Sequence, residues 1–160
     1  MSIHIPYGKG HIECGIPYDG LLTSRIDTLK SDRPGVEIVE EAVENAAENA
    51  ERNGITNAHF FVGDATDTRG LLASAEDELG RKISPTVVVL DPPRAGCDSE
   101  LIDFVAEMNP KRVVYVSCNP QTLARDVKAF GEYGYTTERV AGWDMFALTG
   151  HVESFVCLTR

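Results

Sequence analysis

The chain has 160 residues, of which 42% are hydrophobic and 25% charged, the composition of an ordinary globular domain with enough apolar residues for a core. A formal net charge of −10 and a pI near 4.8 speak against a free-standing nucleic-acid binder held by phosphate contacts alone. No stretch is apolar enough to span a membrane and no signal-peptide pattern opens the chain; the four cysteines form no CxxC pair and read as reduced thiols of a cytoplasmic protein, not a zinc site.

Residues 1 to 20 are rich in glycine and proline, with one short strand candidate from Gly10 to Cys14. Leu21 to Lys30 fits a short helix, and Ser31-Asp32-Arg33-Pro34-Gly35 reads as a turn. Val36 to Val39 predicts a strand, and the Ala- and Glu-rich run from Glu40 to Asn53 predicts a helix closed by Asn53-Gly54. Ala58 to Val62 is the next strand, followed by Gly63-Asp64 and a polar helix from about Thr68 to Leu79. The apolar run Thr86 to Leu90 leads directly into Asp91-Pro92-Pro93-Arg94-Ala95-Gly96. Asp98 or Ser99 then caps a helix ending near Met108.

Val113 to Val116 is a β-branched and aromatic run that predicts a buried strand. Ser117-Cys118-Asn119-Pro120 converts it into a helix to about Phe130, with Asn119 as N-cap and Pro120 in the first turn. Cys118 is thus expected between the carboxyl end of a strand and a helix N-terminus, where unpaired N–H groups favour a thiolate. A small apolar residue closing a strand is the plainer alternative. Gly131 to Gly134 reads as a turn; Tyr135 to Trp143 and Val152 to Leu158, with no helix between them, predict an antiparallel pair. The alternation before that pair predicts an α/β fold: a mostly parallel, helix-flanked sheet with one antiparallel strand at the end.

Glu37 ends a predicted strand 22 residues after Gly15, the place where a Rossmann-like sheet accepts hydrogen bonds from ribose hydroxyls, although a solvated surface glutamate fits equally well. Asp91 ends another strand, stiffened by two prolines.

Asp91 to Gly96, followed after sixteen residues by Val113-Val114-Tyr115-Val116-Ser117-Cys118-Asn119-Pro120-Gln121-Thr122, resembles the signature of the RNA uracil-5-methyltransferases. These S-adenosylmethionine-dependent enzymes make 5-methyluridine in transfer and ribosomal RNA. Asp144-Met145-Phe146-Ala147-Leu148-Thr149-Gly150-His151-Val152-Glu153 resembles a third motif of the same family.

The resemblance implies a Rossmann-like class I methyltransferase fold of about seven strands, with an antiparallel last strand and helices on both faces. It makes Cys118 the nucleophile and Glu153 the base. It makes Glu37 the ribose ligand, Asp91 a cofactor or base contact, and Asp64 a residue facing the adenine. His151 is expected as a packing or hydrogen-bonding neighbour. Ile12-Glu13-Cys14-Gly15-Ile16-Pro17-Tyr18 is the nearest match to the family's glycine-rich cofactor loop; Gly15 fits, and Pro17 stands where a second glycine is usual. Residues 1–34 are accordingly expected as an altered N-terminal part of one domain whose catalytic core is 35–160. The implied cofactor is S-adenosyl-L-methionine. The implied partner is RNA with an unpaired or flipped uridine, gripped with the help of an additional RNA-binding domain. The third motif leans toward ribosomal RNA over transfer RNA. Two other readings stay open: an amino-group methyltransferase, against which Ser117-Cys118-Asn119-Pro120 speaks, and a non-catalytic remnant that binds RNA or a partner protein.

Overall fold

The computed structural model describes residues 33–64, 67–144, 148–149 and 152–160. Among these residues, six strands and four helices alternate along the chain. They are β1 (Arg33–Glu37), α1 (Glu40–Arg52), β2 (Ala58–Val62), α2 (Thr68–Leu79), β3 (Val87–Leu90), α3 (Ser99–Met108), β4 (Arg112–Ser117), α4 (Pro120–Glu132), β5 (Thr136–Trp143) and β6 (Glu153–Thr159).

β1 and β2 form a parallel pair, and the other four strands form a sheet in the order β3-β4-β6-β5. β3 and β4 are parallel, whereas β6 runs antiparallel to both β4 and β5. The antiparallel closing pair is therefore as expected, with β6 slotted between β4 and β5. The strand expected at Gly10 to Cys14 lies outside the described residues.

One expectation fails at Arg33 to Gly35, which form part of β1 and not a turn. The Arg33 amide donates to the Asn57 carbonyl at 2.8 Å, and Arg33, Pro34 and Gly35 pair with Ala58, His59 and Phe60. Among the described residues β1 has a ladder on one side only, the setting in which a strand tolerates proline.

α2, α3 and α4 start where short polar side chains satisfy their first amides. Asp98 caps α3 through Leu101 N at 2.8 Å, and Asn119 caps α4 through Gln121 N at 3.1 Å, with Pro120 needing no partner of its own. Asn109, at φ 54°, ends α3 in the left-handed region that asparagine tolerates.

Alternation in the strands splits the apolar residues between two faces. Val113 and Tyr115 of β4, with Leu90, Val156 and Leu158, pack against Leu101, Ile102 and Val105 of α3 and Leu123 and Phe130 of α4. Phe130 is fully buried, and truncating it to Ala would cost about 3–5 kcal/mol. Val114 packs with Phe155 and Cys157, flanked by half-buried Val89, Val116 and Ala141, in a smaller second cluster. Cys97 and Cys118 are free thiols as expected. Cys157, set in the middle of the sheet by β6, departs from that expectation and is disulfide-bonded, since separation in sequence does not limit proximity in the fold. No helix among the described residues is long and apolar enough to cross a membrane.

Candidate active site

Cys118 occupies the single bend between β4 and α4, half-buried. Its two neighbours hold that bend. The buried Ser117 hydroxyl accepts from Asn119 N at 3.0 Å and donates to Asn119 O at 3.1 Å, while the Asn119 side chain caps the helix.

Glu153 arrives from 35 residues further on. The β4–β6 ladder ends with Ser117 opposite Ser154, so Cys118 and Glu153 are the residues that flank its last pair. Across β6, Glu153 is the partner of Trp143, the last residue of β5. Directly opposed residues share a face of a sheet, and Phe155 lies on that face too, its ring 6.2 Å from the ring of Trp143. Ser117, Glu153 and Trp143 thus end three adjacent strands at one end of the sheet, and Cys118 follows Ser117 there.

Asp91 comes to the same end. It follows β3, whose last residue Leu90 pairs in parallel with Tyr115, three residues before Cys118. The loop after Asp91 turns sharply, with Gly96 N donating to Pro93 O at 2.8 Å. It is tied along its length to the start of α4. The Arg94 carbonyl accepts from Asn119 Nδ2 at 3.1 Å and from Thr122 Oγ1 at 3.2 Å. Arg125 Nη2 donates to the carbonyls of Ala95 at 2.9 Å and Cys97 at 3.0 Å. Asp126, which is 1% exposed, accepts from the Cys97 amide at 2.8 Å and the Tyr115 hydroxyl at 2.6 Å, and its other oxygen receives Arg125 Nε at 2.7 Å.

Sequence reasoning did not pick out Tyr115, Arg125 or Asp126. A signal was present: Leu123, Asp126 and Phe130 are the buried positions of α4, so a carboxylate interrupts an apolar stripe at helical spacing. Burial pushes the Cys97 thiol up to about 12 and raises Tyr115 well above the usual phenol range, the latter with help from its bond to Asp126. Cys97 is therefore a packed thiol, unlike the more accessible Cys118.

Glu37 ends β1 and Asp64 follows β2, where the two strands are tied by Gly63 N donating to Glu37 O at 3.0 Å. One Glu37 oxygen accepts from Val39 N at 3.1 Å, which turns the carboxylate back over the strand end. Ile38, Val39 and Val62 leave about half their surface exposed there (50%, 52% and 49%). A carboxylate beside open apolar surface at a strand's carboxyl end suits the ribose and base of a nucleoside, so this donor set fits an adenosine-containing cofactor. Gly15 and His151 lie outside the described residues. Asp91 and Cys118 thus follow the carboxyl ends of β3 and β4, and Glu153 begins β6 at the same end of the sheet, while Glu37 and Asp64 lie at the end of the separate β1–β2 pair. No group of three or more metal-ligating side chains occurs among the described residues.

The family model for tRNA (uracil-5-)-methyltransferase matches residues 34–160. The chain belongs to this family. It is 47% identical over 126 residues to an uncharacterised RNA methyltransferase of Clostridium acetobutylicum, a match covering 79% of this chain and 26% of that protein. It thus spans about a quarter of the length of the curated relatives it matches. Among solved structures it resembles the Pyrococcus abyssi tRNA (uracil-54, C5)-methyltransferase, determined in complex with S-adenosyl-L-homocysteine. That match has 33% identity and a TM-score of 0.65, and covers 86% of this chain and 30% of the other. A putative S-adenosylmethionine-dependent methyltransferase from Streptococcus mutans matches at 14% identity with a TM-score of 0.61, over 81% of this chain and 38% of the other, a likeness of fold. The fold is thus the Rossmann-like α/β class I methyltransferase fold, and the family's methyl donor is S-adenosyl-L-methionine.

Proposed function

We propose that the chain is the catalytic portion of an enzyme that methylates C5 of uracil in RNA, with Cys118 as nucleophile and Glu153 as proton acceptor. The observation that supports this reading is the β4–β6 register: a free, half-buried thiol follows Ser117, and a half-buried carboxylate precedes Ser154, its ladder partner.

The chemistry follows from the reactivity of uracil. C5 is a weak nucleophile because the conjugated C4 carbonyl withdraws electrons from the C5–C6 double bond, which also leaves C6 electrophilic. The Cys118 thiolate adds to C6, forming an S–C6 bond and moving the C5–C6 π pair toward C5 and O4, which makes C5 electron-rich. S-adenosyl-L-methionine, when bound, supplies the electrophilic methyl group. Once C5 carries its methyl, the Glu153 carboxylate takes the C5 proton. The electrons of that C–H bond then restore the C5–C6 double bond and expel the thiolate.

Glu37 would hold the ribose hydroxyls and Asp64, with the exposed apolar surface of Ile38, Val39 and Val62, the adenine side; Asp91 would contact the cofactor or the target base. Gly15 belongs to the same proposed cofactor site. A base stacked in a helix hides C6, so the substrate uridine must be unpaired or flipped. With a net charge of −10, RNA grip would come from an additional RNA-binding domain.

The RNA class is also a proposal. The third motif leans toward ribosomal RNA, while the family model and the Pyrococcus abyssi neighbour are both named for transfer RNA. The test supplies S-adenosyl-L-methionine with unmodified transfer RNA or ribosomal RNA, then measures 5-methyluridine in the digested nucleosides. Formation of 5-methyluridine that Cys118→Ala abolishes supports the reading. Binding of both cofactor and RNA without any 5-methyluridine would favour the non-catalytic remnant.

A further inference from the structure

We infer that Asp126 is a positioning residue for this site: its buried carboxylate locks the Asp91–Cys97 loop onto the helix that begins beside Cys118. The inference rests on the function proposed above and extends it to a residue outside all three sequence motifs.

Asp126 is 1% exposed, yet three donors converge on it, from three different parts of the chain. The Cys97 amide comes from the end of the loop, the Tyr115 hydroxyl from β4, and Arg125 Nε from α4 itself. A carboxylate is acceptor-only and offers about four lone-pair sites, so it suits three converging donors where an amide side chain would bring donors of its own. Arg125, oriented by this ion pair, extends the lock by donating to the carbonyls of Ala95 and Cys97. Gly96 lies between those carbonyls at φ 80°, and a Cβ there would collide with Asp126 Oδ2 and come within 2.6 Å of Arg125 Nη2. Only glycine allows the loop this close to the carboxylate.

The consequence concerns relative position. Asp91 and Arg94 ride on the loop; Cys118 precedes the helix. Without the Asp126 lock, the loop loses its ties through the Cys97 amide and Arg125, and keeps those of Asn119 and Thr122 to the Arg94 carbonyl. The loop would then shift against Cys118 while the thiol kept its own local bend, which depends on Ser117 and Asn119. A displacement of about 1 Å in such a site costs on the order of 100-fold in rate.

The test compares the full 160-residue chain with Asp126→Asn and Arg125→Ala. Each is given S-adenosyl-L-methionine and an RNA containing 5-fluorouridine, whose C5 fluorine traps the Cys118 adduct. The rate at saturating RNA is recorded separately from the RNA concentration giving half that rate. Alkylation of Cys118 by iodoacetamide, located by peptide mapping, serves as the control for local thiol reactivity. The lock predicts that Asp126→Asn lowers the saturated adduct rate by about 100-fold. It predicts a smaller loss for Arg125→Ala, with Cys118 alkylation like wild type for both. Arg125 is largely exposed, so its variant keeps the question answerable if Asp126→Asn fails to fold. Adduct rates unchanged in either folded variant overturn the lock while leaving the proposed function standing. Loss of alkylation in parallel with adduct formation overturns it as well, because the defect would then lie in the thiol's own setting. A wild-type chain that binds both cofactor and the RNA and forms no adduct overturns the functional reading, and the role given to Asp126 with it.

Discussion

Ser117 at the end of β4 pairs with Ser154 in β6, so Cys118 and Glu153 flank the last pair of this ladder. A slip of one residue would turn Glu153 to the opposite face of the sheet. The ladder carries six consecutive pairs from Arg112 to Ser117, and Tyr115, Val113, Val156 and Leu158 anchor it in the main core, so the register is fixed well away from the reacting groups.

Glu153→Gln removes the base and leaves the thiol in place. The expected result is turnover lower by about 10²- to 10⁴-fold, with a covalent protein–RNA complex accumulating on ordinary uridine. Denaturing electrophoresis detects that complex, and undiminished turnover would exclude Glu153 as the base.

Glu37→Ala should weaken S-adenosyl-L-homocysteine binding by about 10- to 100-fold, the range for losing hydrogen bonds to a charged acceptor. Calorimetry on wild type and variant reads the change. Cys118→Ala should leave the same binding constant intact.

Gly96→Ala forces a side chain into the left-handed region at φ 80° and into Asp126. The backbone strain alone costs about 1–3 kcal/mol, so the variant should melt several degrees below wild type. An unchanged Tm would mean that the loop does not approach α4 as closely as described.

The buried Cys97 thiol makes stability fall in alkali. Burial raises its pKa from 9.0 to about 12, so the folded chain keeps a proton that the unfolded chain releases. That contribution is fully present below pH 9.0 and is lost as pH rises through about 12. Tyr115, raised by burial and by Asp126, acts in the same direction. Cys97→Ala should therefore lose less Tm than wild type between about pH 8 and pH 11, measured by thermal denaturation.

Much of the fold was legible because local chemistry and packing agree. The bounds of α2, the Asp98 and Asn119 caps, and the closing hairpin-like pair follow from polar capping residues and β-branched runs acting over a few positions. Arg33 to Gly35 misled because Pro34 and Gly35 are turn residues by propensity, whereas the β2 ladder recruits them into a strand. The site divides in the same way. Cys118 was readable from its own neighbours, strand on one side and cap on the other. The role of Glu153 as base came only through family resemblance, since register between distant strands leaves no local trace. Asp126 went unread because its three donors come together only when loop, strand and helix are assembled.

The proposed catalysis requires that Cys118 become covalently bonded to uracil C6. The most direct measurement is mass spectrometry of the chain after incubation with S-adenosyl-L-methionine and a short RNA bearing 5-fluorouridine. The account predicts a stable adduct heavier than the chain by the oligonucleotide plus the transferred methyl group, mapped to the peptide containing Cys118 and absent in Cys118→Ala. An adduct on another residue, or 5-methyluridine made from ordinary RNA by Cys118→Ala, would contradict it.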